Sequence, residues 1–137
     1  MNLAEAAARS LLAEMNNPDA EVSVLLTDDA AIRRLNREWR GIDKPTDVLS
    51  WPQEEPGTAG VGAGSILGDV AISLDTARRQ ACERGWSEAR ETALLLVHGI
   101  LHLLGFEDDT EVGAATMSVI EERIVGKSLD KIEWVHA

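Results

Sequence analysis

The stretch Ile66-Leu67-Gly68-Asp69-Val70-Ala71-Ile72-Ser73 is the last segment of the chain that reads as a β-strand, and the chain beyond it reads as helix. Ser73 supplies a capping side chain for a helix through Arg84, and Ser87 caps the next, which ends where Gly105 permits a left-handed residue. A third helix is expected from about Thr110 to Val125, stopping at Gly126, with the tail from Trp134 to Ala137 unassigned. Towards the N-terminus, Asp47 to Trp51 (DVLSW) and Glu21 to Thr27 (EVSVLLT) are two more strands. Leu3 to Met15 repeats apolar residues at helical spacing before Pro18, and Asp28 or Thr27 caps a helix reaching about Arg40. Strands come early and helices late, and the strands are too few for a doubly wound sheet. The pattern predicts an α+β fold, a small mixed β-sheet of three to four strands packed against about five helices.

The rest of the sequence fits one domain spanning residues 1–137, because 137 residues at 45% hydrophobic content supply a core without disulfide or metal staples. Cys82 has no second cysteine to pair with, which favours a reducing compartment. Glu5, Arg9 and Glu14 break the N-terminal apolar stretch where an export signal would carry positive charge and then an apolar run, so a cytoplasmic protein is expected. The run Ala93 to Leu104 contains His98, Gly99 and His102 and falls far short of the roughly 20 residues of a membrane span, so it reads as a buried core helix. A net charge of −11 disfavours indiscriminate binding to nucleic acid or anionic membrane.

Pro52 to Ser65 holds four of the eleven glycines. A phosphate cradle would open a helix and end in Gly-Lys-Ser/Thr, so this segment reads as a flexible hairpin loop instead. Gly68 inside a strand pattern signals a bulge or a close backbone approach, with Asp69 beside it among aliphatic residues, and a turn or an edge strand explains the pair equally well.

The chemistry concentrates at Val97-His98-Gly99-Ile100-Leu101-His102-Leu103-Leu104-Gly105-Phe106-Glu107-Asp108-Asp109. Residues four apart share a helix face with Cβ atoms about 5–6 Å apart, so His98 and His102 converge on one point that a single ion can bridge. Gly105 lets the chain reverse, which would return Asp108 as a third ligand; the spacing His-x3-His-x5-Asp is that of the metzincin motif, with Asp in the last place. Glu107, Asp109 and His136 are rival third ligands, and Asp108 with Glu111 also resembles a capping box. Zinc peptidases of the His-Glu-x-x-His type place a general base after the first histidine; Gly99 there tells against peptide hydrolysis.

On the helix after the first strand, Ile32, Leu35 and Trp39 form the expected buried stripe, and Arg33, Arg37 and Arg40 a solvent stripe. From Arg33 to Lys44 five basic residues face two acidic ones, and guanidinium forks suit phosphate.

Four blocks in the same order resemble the bacterial YbeY endoribonucleases over nearly the whole chain. They are Leu35-Asn36-Arg37-Glu38-Trp39-Arg40, Pro45-Thr46-Asp47-Val48-Leu49-Ser50-Trp51-Pro52, Leu67-Gly68-Asp69-Val70, and His98-Gly99-Ile100-Leu101-His102-Leu103-Leu104-Gly105-Phe106. The resemblance implies a metallohydrolase-like α+β fold and a metalloprotein of ribosomal RNA maturation, with one zinc ion held by three histidines and a catalytic arginine at the place of Arg40. His98 and His102 take the first two ligand places, and His98 also counts among the expected catalytic residues. Where the family pattern ends Gly-Tyr-Asp-His, this chain has Gly105-Phe106-Glu107-Asp108, so a carboxylate stands in the third place. That substitution shifts preference toward harder ions such as Mn²⁺. The expected partners are ribosomal RNA and the small ribosomal subunit or its proteins. The rival reading is a non-catalytic ribosome assembly factor, and the least favoured a metal hydrolase on another substrate.

Overall fold

The computed structural model describes residues 2–53 and 66–136, with side chains described through residue 130. In chain order the elements are α1 (Leu3–Glu14), β1 (Glu21–Thr27), α2 (Asp29–Arg40), β2 (Val48–Pro52), β3 (Ile66–Ser73), α3 (Leu74–Arg84), α4 (Glu88–Leu103) and α5 (Glu111–His136). The strands form one mixed sheet in the order β1-β3-β2, with β1 parallel and β2 antiparallel to β3. This is the expected α+β architecture. The expected hairpin loop falls largely on residues 54–65, outside the described residues.

Alternation along the strands divides the packing between two faces. Leu67, Val70 and Ile72 point into the main core, where α1, α4 and α5 bury Leu11, Val97, Ile100, Leu101 and Ile124. Leu49 and Ala71 point the other way and meet Ile32 of α2 in a smaller cluster. The helix starts follow local chemistry: the side chains of Asn2, Asp28, Ser73 and Ser87 each accept from a first-turn backbone N–H. α4 is buried on nearly all sides from Glu91 to Leu103, which is why its sequence lacks an amphipathic pattern.

Two glycines let the layers close. A Cβ on Gly99 would come within 2.8 Å of Val70 Cγ1, so the bare backbone there seats α4 on the sheet. Gly68 has φ +152, and a Cβ on it would overlap the Trp51 carbonyl oxygen. The β1–β3 register also slips between Glu21 and Val22, opposite this glycine. The bulge and the close approach expected from sequence therefore coincide.

Two sequence expectations are corrected. Trp39 does not join the buried stripe: Ile32 is buried, but Trp39 is 67% exposed. Asn36 is buried instead, its Nδ2 donating to the Lys44 carbonyl at 2.9 Å and so tying α2 to the loop that follows it. α5 does not stop at Gly126 but continues to His136. A mid-helix glycine costs about 1 kcal/mol, and burial of Ile124, Val125 and Ser128 around it outweighs that.

α5 is tied to α1 by Glu14, which accepts from Arg123 at 2.7 Å and Lys127 at 3.1 Å. Those hydrogen bonds hold the Glu14 carboxyl well below its ordinary 4.5, at about 2. A depressed carboxylate pKa stabilises the fold above the unfolded-state value and ceases to do so as pH falls through the folded one. The pair is partly solvent-exposed, so Glu14→Gln should cost at most about 1 kcal/mol at pH 7. In urea titrations the gap between parent and variant should close as pH falls from about 4.5 to about 2.

Candidate metal centre

α4 carries His98 and His102 one turn apart, with ring centroids 4.7 Å apart and planes 81° to each other. The helix ends at Leu103, and Gly105 at φ +99 turns the chain while the Phe106 N–H bonds back to the Leu101 carbonyl at 3.0 Å. The reversal delivers Asp108. Thr110 rather than Asp108 caps α5, its Oγ1 accepting from the Gly113 N–H at 3.0 Å, so the Asp108 carboxylate is not used as a cap.

The three donor atoms form a nearly equilateral triangle. His98 Nε2 lies 3.2 Å from His102 Nε2, and Asp108 Oδ2 lies 3.4 Å and 3.5 Å from them. Tetrahedral coordination with bonds of 2.0–2.1 Å separates ligand atoms by about 3.3 Å, so the triangle has the size an ion requires.

The opposite ring nitrogens explain why these atoms converge. His102 Nδ1 donates to the Phe106 carbonyl at 3.0 Å, and His98 Nδ1 faces the Glu121 carboxylate at 2.7 Å. In the tautomer that carries its proton on Nδ1, an imidazole turns a lone pair on Nε2, here toward Asp108. Three acceptors so close repel one another until a cation, proton or metal, lies between them. The hydrogen bond to Glu121 raises the His98 pKa against the opposing effect of burial, and the charges of Glu121, Asp108 and Asp47 add to the rise.

Glu121 escapes sequence reading. It lies on α5, 23 residues from His98, and nothing in the spacing connects them. Among the rival ligands, Glu107 lines the cleft without joining the cluster, and Asp109 takes no part. The side chain of His136 lies outside the described residues. The only cluster of three or more such ligands among the described residues is His98, His102 and Asp108.

The triad opens into a polar cleft of about 450 Å³ lined by Arg40, Asp47, Ser50, His98, His102 and Asp108, among others. Arg40 reaches it from the end of α2, with Nη2 donating to the Ser50 carbonyl at 3.2 Å. Sequence motifs roughly 60 residues apart, the Arg40 block and the histidine block, thus share one wall of the molecule.

The family model for endoribonuclease YbeY matches residues 1–128. The chain belongs to the YbeY family. Relatives named endoribonuclease YbeY include the one from Moorella thermoacetica, 54% identical over 112 residues, covering 78% of this chain and 72% of the relative. The one from Pelotomaculum thermopropionicum is 49% identical over 126 residues, covering 91% and 83%. The solution structure of TM1509 from Thermotoga maritima shares the fold, with a TM-score of 0.63 at 26% identity over 94% of this chain and 85% of that one. Among the described residues of this YbeY chain, no helix is long and apolar enough to cross a membrane.

Groups that orient a ligating histidine through its second nitrogen typically contribute 10–100-fold to metal affinity. Glu121→Gln should therefore weaken zinc binding by about 10–100-fold in competition with a chromophoric chelator. Unchanged affinity would show that Glu121 does not orient His98.

Proposed function

We propose that this chain is a metal-dependent endoribonuclease acting on single-stranded or flexible ribosomal RNA, in its maturation and in ribosome quality control. The observation that carries the reading is the triangle of three acceptor atoms opening into the same cleft as Arg40. His98, His102 and Asp108 would hold one divalent ion, Zn²⁺ or, given the carboxylate, Mn²⁺. Such an ion supplies Lewis acidity toward a phosphate oxygen or a water.

The protein's own residues define the rest of the chemistry. Arg40 uses one Nη2 hydrogen bond to the Ser50 carbonyl to fix its guanidinium at the cleft, leaving other N–H groups of the fork for a phosphate oxygen. Preorganised donors of this kind stabilise charge that develops on the scissile phosphate. With Nδ1 engaged by Glu121 and Nε2 in the triad, His98 contributes by holding the ion rather than by moving a proton. Around the cleft Asp47, Glu107, Asp108 and Glu121 are all acidic, so without the ion this pocket would repel a phosphate. The whole chain at −11 does so too, which restricts RNA to the local basic strip from Arg33 to Lys44. The small ribosomal subunit or its proteins, in the cytoplasm, are the partners this reading requires.

Arg40→Ala should lower the rate of RNA cleavage by about 10²–10³, the usual cost of removing one transition-state donor. Its thermal unfolding should match the parent, since Arg40 is exposed and makes one hydrogen bond to the Ser50 carbonyl. Cleavage at the parental rate would remove Arg40 from the mechanism. Cleavage that a chelator does not abolish would remove the metal, and a metal-loaded protein that cuts no RNA would favour the assembly-factor reading.

A further inference from the structure

On the sheet face opposite the triad, Trp39 and Trp51 stand edge to face with ring centroids 6.4 Å apart, at an interplanar angle of 67°. They border an apolar groove of about 370 Å³ whose other walls include Leu25, Leu35 and Ala71, with Asp69 as its acidic member. Trp39 is 67% exposed and Leu25 51% exposed, an arrangement that packing does not require.

The groove and the cleft share strand β2 as their common wall. Ser50 and Pro52 line the cleft, and Trp51 between them lines the groove, because successive strand residues face opposite ways. Trp39 and Arg40 are neighbours on α2 and serve one side each. A chain that places a phosphate at Arg40 can therefore turn its adjoining base around the edge of the sheet. The exposed side of α2 supplies further positive charge through Arg33, Arg34 and Arg37, although Asp43 engages Arg33 and Arg37.

We propose that the Trp39–Trp51 groove receives one unstacked base of the RNA, next to the phosphate held at Arg40. Aromatic faces accept any base by stacking. Asp69 adds a preference, since its carboxylate oxygens accept hydrogen bonds and so select a base whose Watson–Crick edge donates. Guanine offers two adjacent donors there and uracil one, so guanine is favoured. The inference rests on the RNA-cleaving reading and names the feature that would confine it to unpaired strands: a base in a duplex cannot reach the groove.

The test uses fluorescein-labelled hexanucleotides of 2′-O-methyl RNA, which resist cleavage, bearing guanine, uracil or no base at one central position. Binding by anisotropy is compared in the metal-loaded parent and in Trp39→Ala, Trp39→Phe and Asp69→Asn. One stacked base is worth about 1–3 kcal/mol, so Trp39→Ala should weaken the guanine oligonucleotide by about 5–150-fold. Trp39→Phe should stay near the parent. Removing the base should weaken the parent similarly and leave Trp39→Ala unaffected. Asp69→Asn should erase the preference by lowering guanine to the uracil level while retaining the stacking affinity common to both. Parental binding by Trp39→Ala, or equal parental binding of the abasic oligonucleotide, overturns the inference and leaves the groove to a protein segment. A parent that cleaves RNA while these outcomes fail keeps its nuclease reading; one that neither cleaves nor binds loses both.

Discussion

His102→Ala should leave the purified protein without its ion: elemental analysis should find about one zinc or manganese per parent chain and none in the variant. The reason is geometric. His102 Nε2 is 3.2 Å from His98 Nε2 and 3.5 Å from Asp108 Oδ2, so its removal opens one corner of a three-cornered site. Two remaining ligands are one short of the three protein ligands that hold catalytic zinc. Asp108→Ala should also lower affinity, whereas Asp109→Ala should not, because only Asp108 lies in the triangle. Equal affinity in the two aspartate variants would reassign the third ligand. Compared with a third histidine, the carboxylate lowers the net charge of the site by one, which weakens the ion as a Lewis acid and suits harder metals. Affinities for zinc and manganese measured side by side, in the parent and in Asp108→His, would expose that difference directly.

Gly68→Ala should produce a large loss of stability, among the greatest of the glycine-to-alanine changes at the described residues. The new Cβ would overlap the Trp51 carbonyl oxygen, approach Pro52 Cα at 2.9 Å and sit on a backbone at φ +152. Strained φ in a residue with a side chain costs about 1–3 kcal/mol, and overpacking adds about 1–3 kcal/mol more. Because two of the obstructing atoms belong to the backbone, a side-chain rotation cannot relieve them. A total of about 2–6 kcal/mol is a large share of the roughly 5–15 kcal/mol that holds a domain folded. Chemical denaturation should show the midpoint falling accordingly, and the cleft should suffer as well, since Pro52 lines it. A midpoint within experimental error of the parent would mean that β2 can shift away from β3 at no cost.

Much of this was legible locally. Helix starts were marked by Asp28, Ser73 and Ser87, whose side chains cap in the structure as the sequence suggested. Gly105 marked the end of α4, and the His-x3-His spacing marked the two imidazoles, because one helical turn fixes their relation with no help from the rest of the fold. Gly68 allowed a bulge among other readings, and the register slip selected it. The sequence misplaces Trp39 because a helical stripe says which residues share a face, not how far along the helix the sheet extends beneath it. Gly126 looks like a stop because the cost of a glycine is local, whereas the burial of Ile124, Val125 and Ser128 that sustains α5 is tertiary.

By itself, then, the sequence determined the α+β class, the helix caps, the paired histidines and, through four ordered motif blocks, the family. Only the tertiary structure decided that Asp108 rather than Glu107 or Asp109 closes the triangle, that Glu121 faces His98 Nδ1, and that Arg40 shares its cleft. It also placed Trp39 in the open beside Trp51. The division arises from range: spacing along a chain fixes geometry over one or two turns, while contacts between α2, β2, α4 and α5 depend on how buried faces of distant segments come to rest on one another.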